Sequence, residues 1–304
     1  LHLMPSVTDL NSDGFNEIIT AGARNFLTGA STINIINSTG NLTRSIFVNT
    51  ASGFLYPPVI SDLNNDGKKE IIVADLGRLF VLDSNLTILL VKNLSNATLS
   101  TGGGIVWPPA VGDIDGDGLP NIVVNVFYAN VSPNNSTLYV FNPDGSLLPD
   151  WPKILLNVST YDFLMHFFGD LKLIPVLADL NNDNISEIII SSDDKVHAWH
   201  GNGTYLSGWP VSTISGNSTR IGIGDLDNDN KPEIIISKSN LSLGRALIYA
   251  LHSNGSLVGG WPVSRNGTNR TITEFGSPVI GKSNGNAIIF MTSKRNNFIT
   301  IGTN

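Results

Sequence analysis

An acidic nine-residue segment recurs five times along this 304-residue chain, and it limits the possible folds more than any other feature. Its first copy reads Asp-Leu-Asn-Ser-Asp-Gly-Phe-Asn-Glu, and a β-branched run such as Ile71-Ile72-Val73 follows each copy. The copies, called loops 1 to 5, are residues 9–17, 62–70, 113–121, 179–187 and 225–233. A chain built from such short repeats buries its apolar residues by packing each unit on its neighbours.

Each unit of about 50 residues reads strand, acidic loop, strand, strand, turn, strand. A sixth copy is degenerate, because its loop, Gly281–Asn286, has no carboxylate. Four short strands per repeat of this length are typical of a β-propeller blade. We therefore predict one all-β domain over residues 1–304, a β-propeller of six blades (seven if residues are missing), each of four antiparallel strands. The units begin near residues 1, 54, 105, 173, 219 and 275.

The loops carry oxygen ligands at alternating positions, which suits a hard cation such as Ca²⁺. Positions 1, 3 and 5 are Asp or Asn, position 7 would offer a backbone carbonyl, and position 9 is Glu except in loop 3. Position 6 is Gly or Asn, the residues that best tolerate left-handed backbone geometry. The candidate ligands are Asp9, Asn11, Asp13, Phe15, Glu17, Asp62, Asn64, Asp66, Lys68, Glu70, Asp113, Asp115, Asp117, Leu119, Asn121, Asp179, Asn181, Asp183, Ile185, Glu187, Asp225, Asp227, Asp229, Lys231 and Glu233.

The charge distribution supports a metal-binding interpretation. Sixteen of the 25 acidic residues lie in the five loops, and five Ca²⁺ ions would change the formal net charge from −7 to about +3. An EF-hand is excluded, because that loop needs a bidentate Glu at position 12, where these repeats have Thr, Val or Ile. We expect about five structural Ca²⁺ ions, which would stabilise a chain that has no cysteine for disulfides.

The loops resemble those of the FG-GAP/VCBS repeat family, which includes integrin α-subunit propellers and many secreted microbial proteins. The resemblance implies a β-propeller that holds Ca²⁺ between the first two strands of a blade, through positions 1, 3, 5, 7 and 9. Two departures are Asn121, which should weaken the third site, and Gly281–Asn286, which should bind nothing. The absence of cysteine, together with the many Asn-x-Ser/Thr triplets, makes the chain resemble prokaryotic surface proteins, including archaeal ones, more than metazoan integrins.

Asn-x-Ser/Thr triplets are far more frequent than this composition alone would give, which is about six. Such an excess indicates N-glycosylation, and therefore an extracellular or cell-surface protein. The sixteen candidate sites are Asn37, Asn41, Asn85, Asn93, Asn96, Asn130, Asn134, Asn135, Asn157, Asn184, Asn202, Asn217, Asn240, Asn254, Asn266 and Asn269.

Two further features indicate partner surfaces. An aromatic insertion between loops 3 and 4 is a candidate contact patch, although it could equally pack on its own domain; its aromatic residues are Tyr161, Phe163, Phe167 and Phe168. The sixth unit ends on its third strand, so another surface protein or another copy could add a strand there. Glycans are also possible partners, whereas the acidic balance argues against nucleic acid. No apolar run is long enough to span a membrane.

The remaining signals are weaker. On a strand, His197 and His200 would point to opposite faces, and we expect His252 to have a surface or packing role. The leading interpretation is a non-enzymatic adhesion protein or a subunit of an extracellular filament, sheath or surface layer. The alternatives are a carbohydrate-active enzyme, such as a polysaccharide lyase, and an integrin-like ligand-binding head. Fold alone does not decide among these functions.

Overall fold

The computed structural model is built from β-strands, and none of its described residues is helical. Every strand pair is antiparallel. The chain divides into two compact units, the first made of Leu1–Asp113 and Asp117–Leu156, the second of Ile114–Gly116 and Asn157–Asn304. The structure describes residues 4–22, 30–49, 55–75, 77–94, 105–128, 135–156, 173–192, 194–218, 221–240, 245–266, 278–283, 286–292 and 298–302.

The first unit contains three sheets, and strands that follow one another along the chain are neighbours in each sheet. In the third sheet the first strand is interrupted, so that β9 and β10 both pair with β11. The strands are β1 (Ser6–Thr8), β2 (Glu17–Gly22), β3 (Ala30–Ile36), β4 (Leu42–Asn49), β5 (Val59–Ser61), β6 (Glu70–Ala74), β7 (Arg78–Leu82), β8 (Ile88–Asn93), β9 (Ile105–Val106), β10 (Ala110–Gly112), β11 (Asn121–Tyr128), β12 (Asn135–Phe141) and β13 (Lys153–Leu156).

The second unit also contains three sheets. In its second sheet the first strand is again split, and both β18 and β19 pair with β20. Its last sheet has three strands among the residues described, in the order β23-β24-β25. The strands are β14 (Val176–Ala178), β15 (Glu187–Ser191), β16 (Lys195–Trp199), β17 (Val211–Ser212), β18 (Asn217–Ser218), β19 (Gly222–Gly224), β20 (Glu233–Asn240), β21 (Arg245–Leu251), β22 (Val263–Asn266), β23 (Val279–Ser283), β24 (Asn286–Thr292) and β25 (Phe298–Gly302).

The strands after loops 2 to 5 are buried on both faces, as the β-branched runs predict, whereas Ile18 and Thr20 of β2 are only half-buried. Every residue of β6 is buried. Since successive side chains point to opposite faces of the sheet, both faces of this strand are covered. Ile71 and Val73 pack with residues of the first sheet, including Ile19 and Ile33. Ile72 packs on the other side, in a cluster that contains Val124 of the third sheet. Each sheet of this unit therefore uses its neighbours to form its core.

The second unit repeats this arrangement. Ile234 and Ile236 of β20 pack with Ile189 of the preceding sheet, whereas Ile235 packs with Ile289 of the following one. Six successive antiparallel sheets confirm the all-β class and match the blades of a β-propeller, and the first five open with a strand, an acidic loop and a second strand. The bounds predicted for the sixth loop, Gly281–Asn286, were wrong, because strand pairing continues to Ser283 on β23 and to Asn286 on β24. The aromatic insertion, residues 161–168, lies outside the described residues. The described part of the chain contains no helix long and apolar enough to cross a membrane.

Candidate metal centres

Each acidic loop connects the first two strands of a sheet and folds around its own carboxylates. In loop 2, Asp62 Oδ1 accepts the N–H of Asp66 at 3.1 Å, and Asp62 Oδ2 accepts the N–H of Gly67 at 2.8 Å. Loops 1 and 4 make the same two hydrogen bonds at 2.8 to 3.1 Å. The backbone therefore holds the position 1 carboxylate in one orientation, turned toward the inside of the loop.

The side chains at positions 3 and 5 are oriented in the same way. The Oδ1 atom at position 5 accepts the N–H of position 7 in all five loops, at 2.7 or 2.8 Å. In loops 1, 2, 4 and 5, the Oδ1 atom at position 3 accepts the N–H of position 5 at 2.9 to 3.2 Å. These bonds turn the predicted ligand side chains toward one another.

The loops close because two backbone positions have positive φ. The prediction for position 6 is confirmed, with φ of 84° at Gly67 and 68° at Asn184. Position 4 also has positive φ in every loop, which the sequence analysis missed because its residue type varies. These position 4 residues are Ser12, Asn65, Gly116, Asn182 and Asn228. A side chain there also links neighbouring loops: Asn65 Nδ2 donates to the carbonyl of Gly118 at 2.8 Å.

The glutamate at position 9 starts the second strand and is buried. In loop 2, Glu70 Oε2 accepts the N–H of Leu63 at 2.8 Å, and the glutamates of loops 1, 4 and 5 do the same with position 2 at 2.7 to 3.0 Å. Burial, with a further contribution from the carboxylates of Asp66 and Asp62, raises the pKa of Glu70. Burial also raises the pKa of Glu187 and Glu233. In loop 4 the other oxygen, Oε1 of Glu187, accepts a hydrogen bond from Nδ2 of Asn181 at 2.9 Å.

The residue directly across the sheet from position 9 also belongs to the site. The β20–β21 register pairs Ile234 with Leu251, which places His252 opposite Glu233. His252 Nδ1 lies 3.2 Å from Glu233 Oε1 and 3.9 Å from Asp227 Oδ2. We expected a surface or packing role for His252, and strand pairing brings this residue to a glutamate nineteen residues away in the sequence.

The equivalent cross-strand position is polar in all five units. In the fourth sheet His200 Nδ1 lies 3.4 Å from Glu187 Oε1, and in the third Asn142 Oδ1 accepts a hydrogen bond from Asn121 Nδ2 at 3.3 Å. In the first two sheets the position is occupied by Asn37 and Asp83. Strand register, which could have been inferred by aligning the turns of the repeats, is the signal that identifies this position.

Among the described residues, three groups place at least three potential ligand atoms within 4.8 Å of one another. One group is in loop 3, one is in loop 5, and one combines two residues of loop 5 with His252. The last two groups share Asp227. The groups are Asp113, Asp115 and Asp117; Asp225, Asp227 and Asp229; and Asp227, Glu233 and His252. These sets lie among the residues that the sequence proposes as ligands, with His252 as the addition.

His197 and His200, which looked like a pair in the sequence, have different surroundings. His197 is buried, with Nε2 3.1 Å from Ser192 Oγ and Nδ1 2.9 Å from Tyr205 Oη. Burial, assisted by the charge of Lys195 and Lys238, lowers the pKa of His197 to about 4. His197 is therefore a buried residue that is neutral at neutral pH.

Several candidate glycosylation sites lie at exposed turns. Asn202 and Asn254 are exposed at the turns before β17 and β22, and each accepts a hydrogen bond from the hydroxyl of its own Ser/Thr at 2.7 Å. Exposed side chains are also found at Asn41, Asn85, Asn93 and Asn184. Some candidates fall outside the residues that the structure describes, namely Asn96, Asn130, Asn134, Asn157 and Asn269.

Comparison with known proteins agrees with this fold. The family model described as FG-GAP-like repeat matches residues 62–124 and 179–236, which include loops 2 to 5. A search of curated proteins gave no match. The Vibrio cholerae biofilm matrix protein Bap1 is similar in structure, with a TM-score of 0.55 and 17% identity over 98% of this chain and 58% of Bap1. This chain therefore spans less than two thirds of Bap1.

A second similar structure is BBS1N, solved in complex with ARL6DN. It gives a TM-score of 0.52 and 12% identity over 97% of this chain and 78% of that one. At such identities both likenesses concern the fold alone. The sequence match and the six sheets together show that this chain carries FG-GAP-like repeats in a β-propeller type of fold.

Proposed function

We propose that this chain is a calcium-stabilised β-propeller that acts in extracellular adhesion or assembly, and not as an enzyme. The observation that carries the proposal is the shared geometry of loops 1, 2 and 4. In each, backbone N–H groups fix the position 1 carboxylate, and a buried glutamate at position 9 accepts the N–H of position 2 through Oε2. Flexible all-oxygen sites with several protein ligands suit Ca²⁺ better than Mg²⁺.

The charges in loop 2 support a bound cation. Glu70 is buried beside the carboxylates of Asp62 and Asp66, and these two charges add to the effect of burial in raising the pKa of Glu70. A divalent cation between these groups would offset their repulsion and the cost of burying a charged glutamate. The proposed ligands in the five loops remain those at positions 1, 3, 5, 7 and 9.

An extracellular role is supported by the exposed Asn-x-Ser/Thr sites, such as Asn41, Asn202 and Asn254. The structural likeness to a biofilm matrix protein concerns the fold, which is compatible with a role in a surface or matrix assembly. In such a role, calcium and glycans would stabilise a chain without cysteine, and the exposed faces of the sheets would contact other surface proteins, glycans or further copies.

Negative-stain electron microscopy of the full chain in millimolar Ca²⁺, with a parallel sample in EDTA, tests the assembly role. Regular filaments or sheets that disappear in EDTA would support a structural subunit. Separate particles that bind cells or glycan arrays would support adhesion. Calcium-dependent release of oligosaccharides from a polysaccharide panel would contradict the non-enzymatic proposal and favour the lyase alternative.

A further inference from the structure

Loop 5 differs from loops 1, 2 and 4 at position 1. Asp225 Oδ1 accepts the N–H of Asn228 at 2.7 Å, instead of the position 5 N–H that this oxygen accepts in loops 1, 2 and 4. Asp225 Oδ2 lies 3.4 Å from Nζ of Lys282, which also donates to Asn228 Oδ1 at 3.0 Å. Lys282 lies on β23, the first strand of the sixth sheet. An ammonium group therefore neutralises part of the charge that would attract Ca²⁺ to position 1.

A histidine nitrogen lies beside the same loop, across the sheet from position 9. Nδ1 of His252, Oε1 of Glu233 and Oδ2 of Asp227 all lie within 4.8 Å of one another. The nitrogen is 3.2 Å from Glu233 and 3.9 Å from Asp227. Ligands about 2.1 Å from a tetrahedral Zn²⁺ ion are about 3.4 Å apart. Small side-chain movements would therefore bring these three atoms into one coordination sphere.

The strands and turns hold these ligands in place and leave the site accessible. Glu233 is buried, and its Oε2 accepts the N–H of Leu226 at 2.7 Å, so that Oε1 faces His252. The backbone N–H of His252 is fixed by a hydrogen bond to the carbonyl of Ser256 at 2.9 Å. The side chains of His252 and Asp227 are 29% and 38% exposed, so that an ion and its remaining water ligands can reach them.

We propose that Asp227, Glu233 and His252 form a separate site for a borderline transition-metal ion of the Zn²⁺ or Co²⁺ class. Imidazole nitrogen favours such ions, whereas Ca²⁺ favours sites made only of oxygen. The inference changes the ion proposed for loop 5. It uses the loop geometry described above but does not require that loops 1 to 4 bind calcium.

The fourth sheet provides an internal control. His200 Nδ1 lies 3.4 Å from Glu187 Oε1, but position 3 of this loop is Asn181 in place of an aspartate. The amide of Asn181 donates to the same Oε1 at 2.9 Å, so this carboxylate oxygen is already engaged and a third anionic ligand is missing. This histidine–glutamate pair should not hold a transition metal.

Titration of the full chain with Co²⁺ and Zn²⁺ in a large excess of Ca²⁺ tests the site. We expect one Co²⁺ ion whose visible absorption shows nitrogen and oxygen ligands at low coordination number, and which Zn²⁺ displaces. His252→Asn, which introduces the residue found at the equivalent position 142, should weaken binding at least about tenfold. The matched variant His200→Asn should leave the affinity unchanged, and Asn181→Asp should create a second site.

Three results would overturn the inference. They are the absence of Co²⁺ or Zn²⁺ binding in Ca²⁺-saturated protein, equal affinities for wild type and His252→Asn, and displacement of Zn²⁺ by equimolar Ca²⁺. Thermal unfolding of both histidine variants, with and without Ca²⁺, shows whether they fold and keep the calcium sites. Failure of the calcium proposal would therefore be distinguished from failure of this one.

Discussion

At the scale of single residues, the loops depend on two backbone positions with positive φ. At position 6 of loop 2, Gly67 has φ of 84°, and a Cβ atom there would meet no heavy atom within 4 Å. Backbone conformation, and not crowding, therefore limits the choice of residue. Loops 4 and 5 have asparagine at this position, with φ of 68° and 65°, so asparagine can replace glycine there.

We predict that Gly67→Val destabilises the protein by about 1–2 kcal/mol, because a β-branched residue strains a left-handed backbone. Gly67→Asn should be within about 0.5 kcal/mol of wild type, since asparagine tolerates this conformation. Urea unfolding of both variants measures the difference. Equal losses for valine and asparagine would show that the side chain, and not the backbone, determines the effect.

The glutamate at position 9 gives a second prediction at this scale. Glu70→Gln keeps an oxygen to accept the N–H of Leu63 but removes the charge that would attract Ca²⁺. The variant should lose part of the calcium-dependent rise in Tm, while its Tm in EDTA stays equal or increases, because a buried charge is removed. Asp144→Asn, made in unglycosylated protein, is the matched control: it removes an exposed charge from a turn where the next two sheets have asparagine. An unchanged calcium response of Glu70→Gln would contradict the site.

At the scale of elements, the turn between the third and fourth strands of the fourth sheet contacts the fifth sheet. Trp209 is buried against the core of the fourth and fifth sheets, and its Nε1 donates to the carbonyl of Ser253 at 2.7 Å. Trp209→Phe should cost about 1–3 kcal/mol, since it leaves that carbonyl without its indole donor. Trp261→Phe should cost less, because Trp261 is only half-buried. Equal costs in thermal unfolding would contradict this packing role.

Elements that are local in the sequence were predicted from it. The β-branched runs indicated the buried second strands, such as β6 and β15, and the Asp/Asn spacing indicated the loops between strands. The interruption of the first strand in the third and fifth sheets could not be predicted from the repeat pattern. In these sheets the segment before the acidic loop forms two short strands, and the earlier one pairs separately: β9 with β11 and β18 with β20.

Contacts that join distant parts of the chain could not be predicted from the loops alone. His252 reaches Glu233 through the register of β20 and β21, and Lys282 reaches Asp225 from the next sheet. Both contacts change the chemistry of loop 5, yet nothing within residues 225–233 indicates them. Ligand types at alternating positions were therefore predictable, whereas the differences between sites depend on tertiary structure.

At the scale of the whole molecule, repeated acidic loops make stability depend on pH and on calcium together. Burial raises the pKa of Glu70, Glu187 and Glu233 in the folded state without metal. A raised pKa in the folded state means that the native protein binds the proton more tightly than the unfolded chain does. The stability that each glutamate contributes is therefore fully present below its unfolded-state pKa, and it is lost as pH rises through its folded-state pKa. In EDTA, these three groups should therefore make the protein more stable in mild acid than at neutral pH.

Saturating Ca²⁺ should reverse this dependence, because the ion binds the ionised carboxylates and protonation displaces it. Stability should then fall as pH decreases through the glutamate range. Melting curves across mild acid to neutral pH, in EDTA and in Ca²⁺, compare the two slopes. Slopes of the same sign in both series would show that calcium does not bind these glutamates.

The central claim is that the repeated loops bind calcium and that this binding stabilises the fold. Thermal unfolding of the full chain in EDTA, in millimolar Mg²⁺ and across a Ca²⁺ series tests it most directly. Each occupied site would add about 2.7 kcal/mol when free Ca²⁺ is a hundred times its Kd. The account predicts a large rise in Tm that continues with Ca²⁺ concentration and that Mg²⁺ does not reproduce. The same Tm in EDTA and in Ca²⁺ would contradict it.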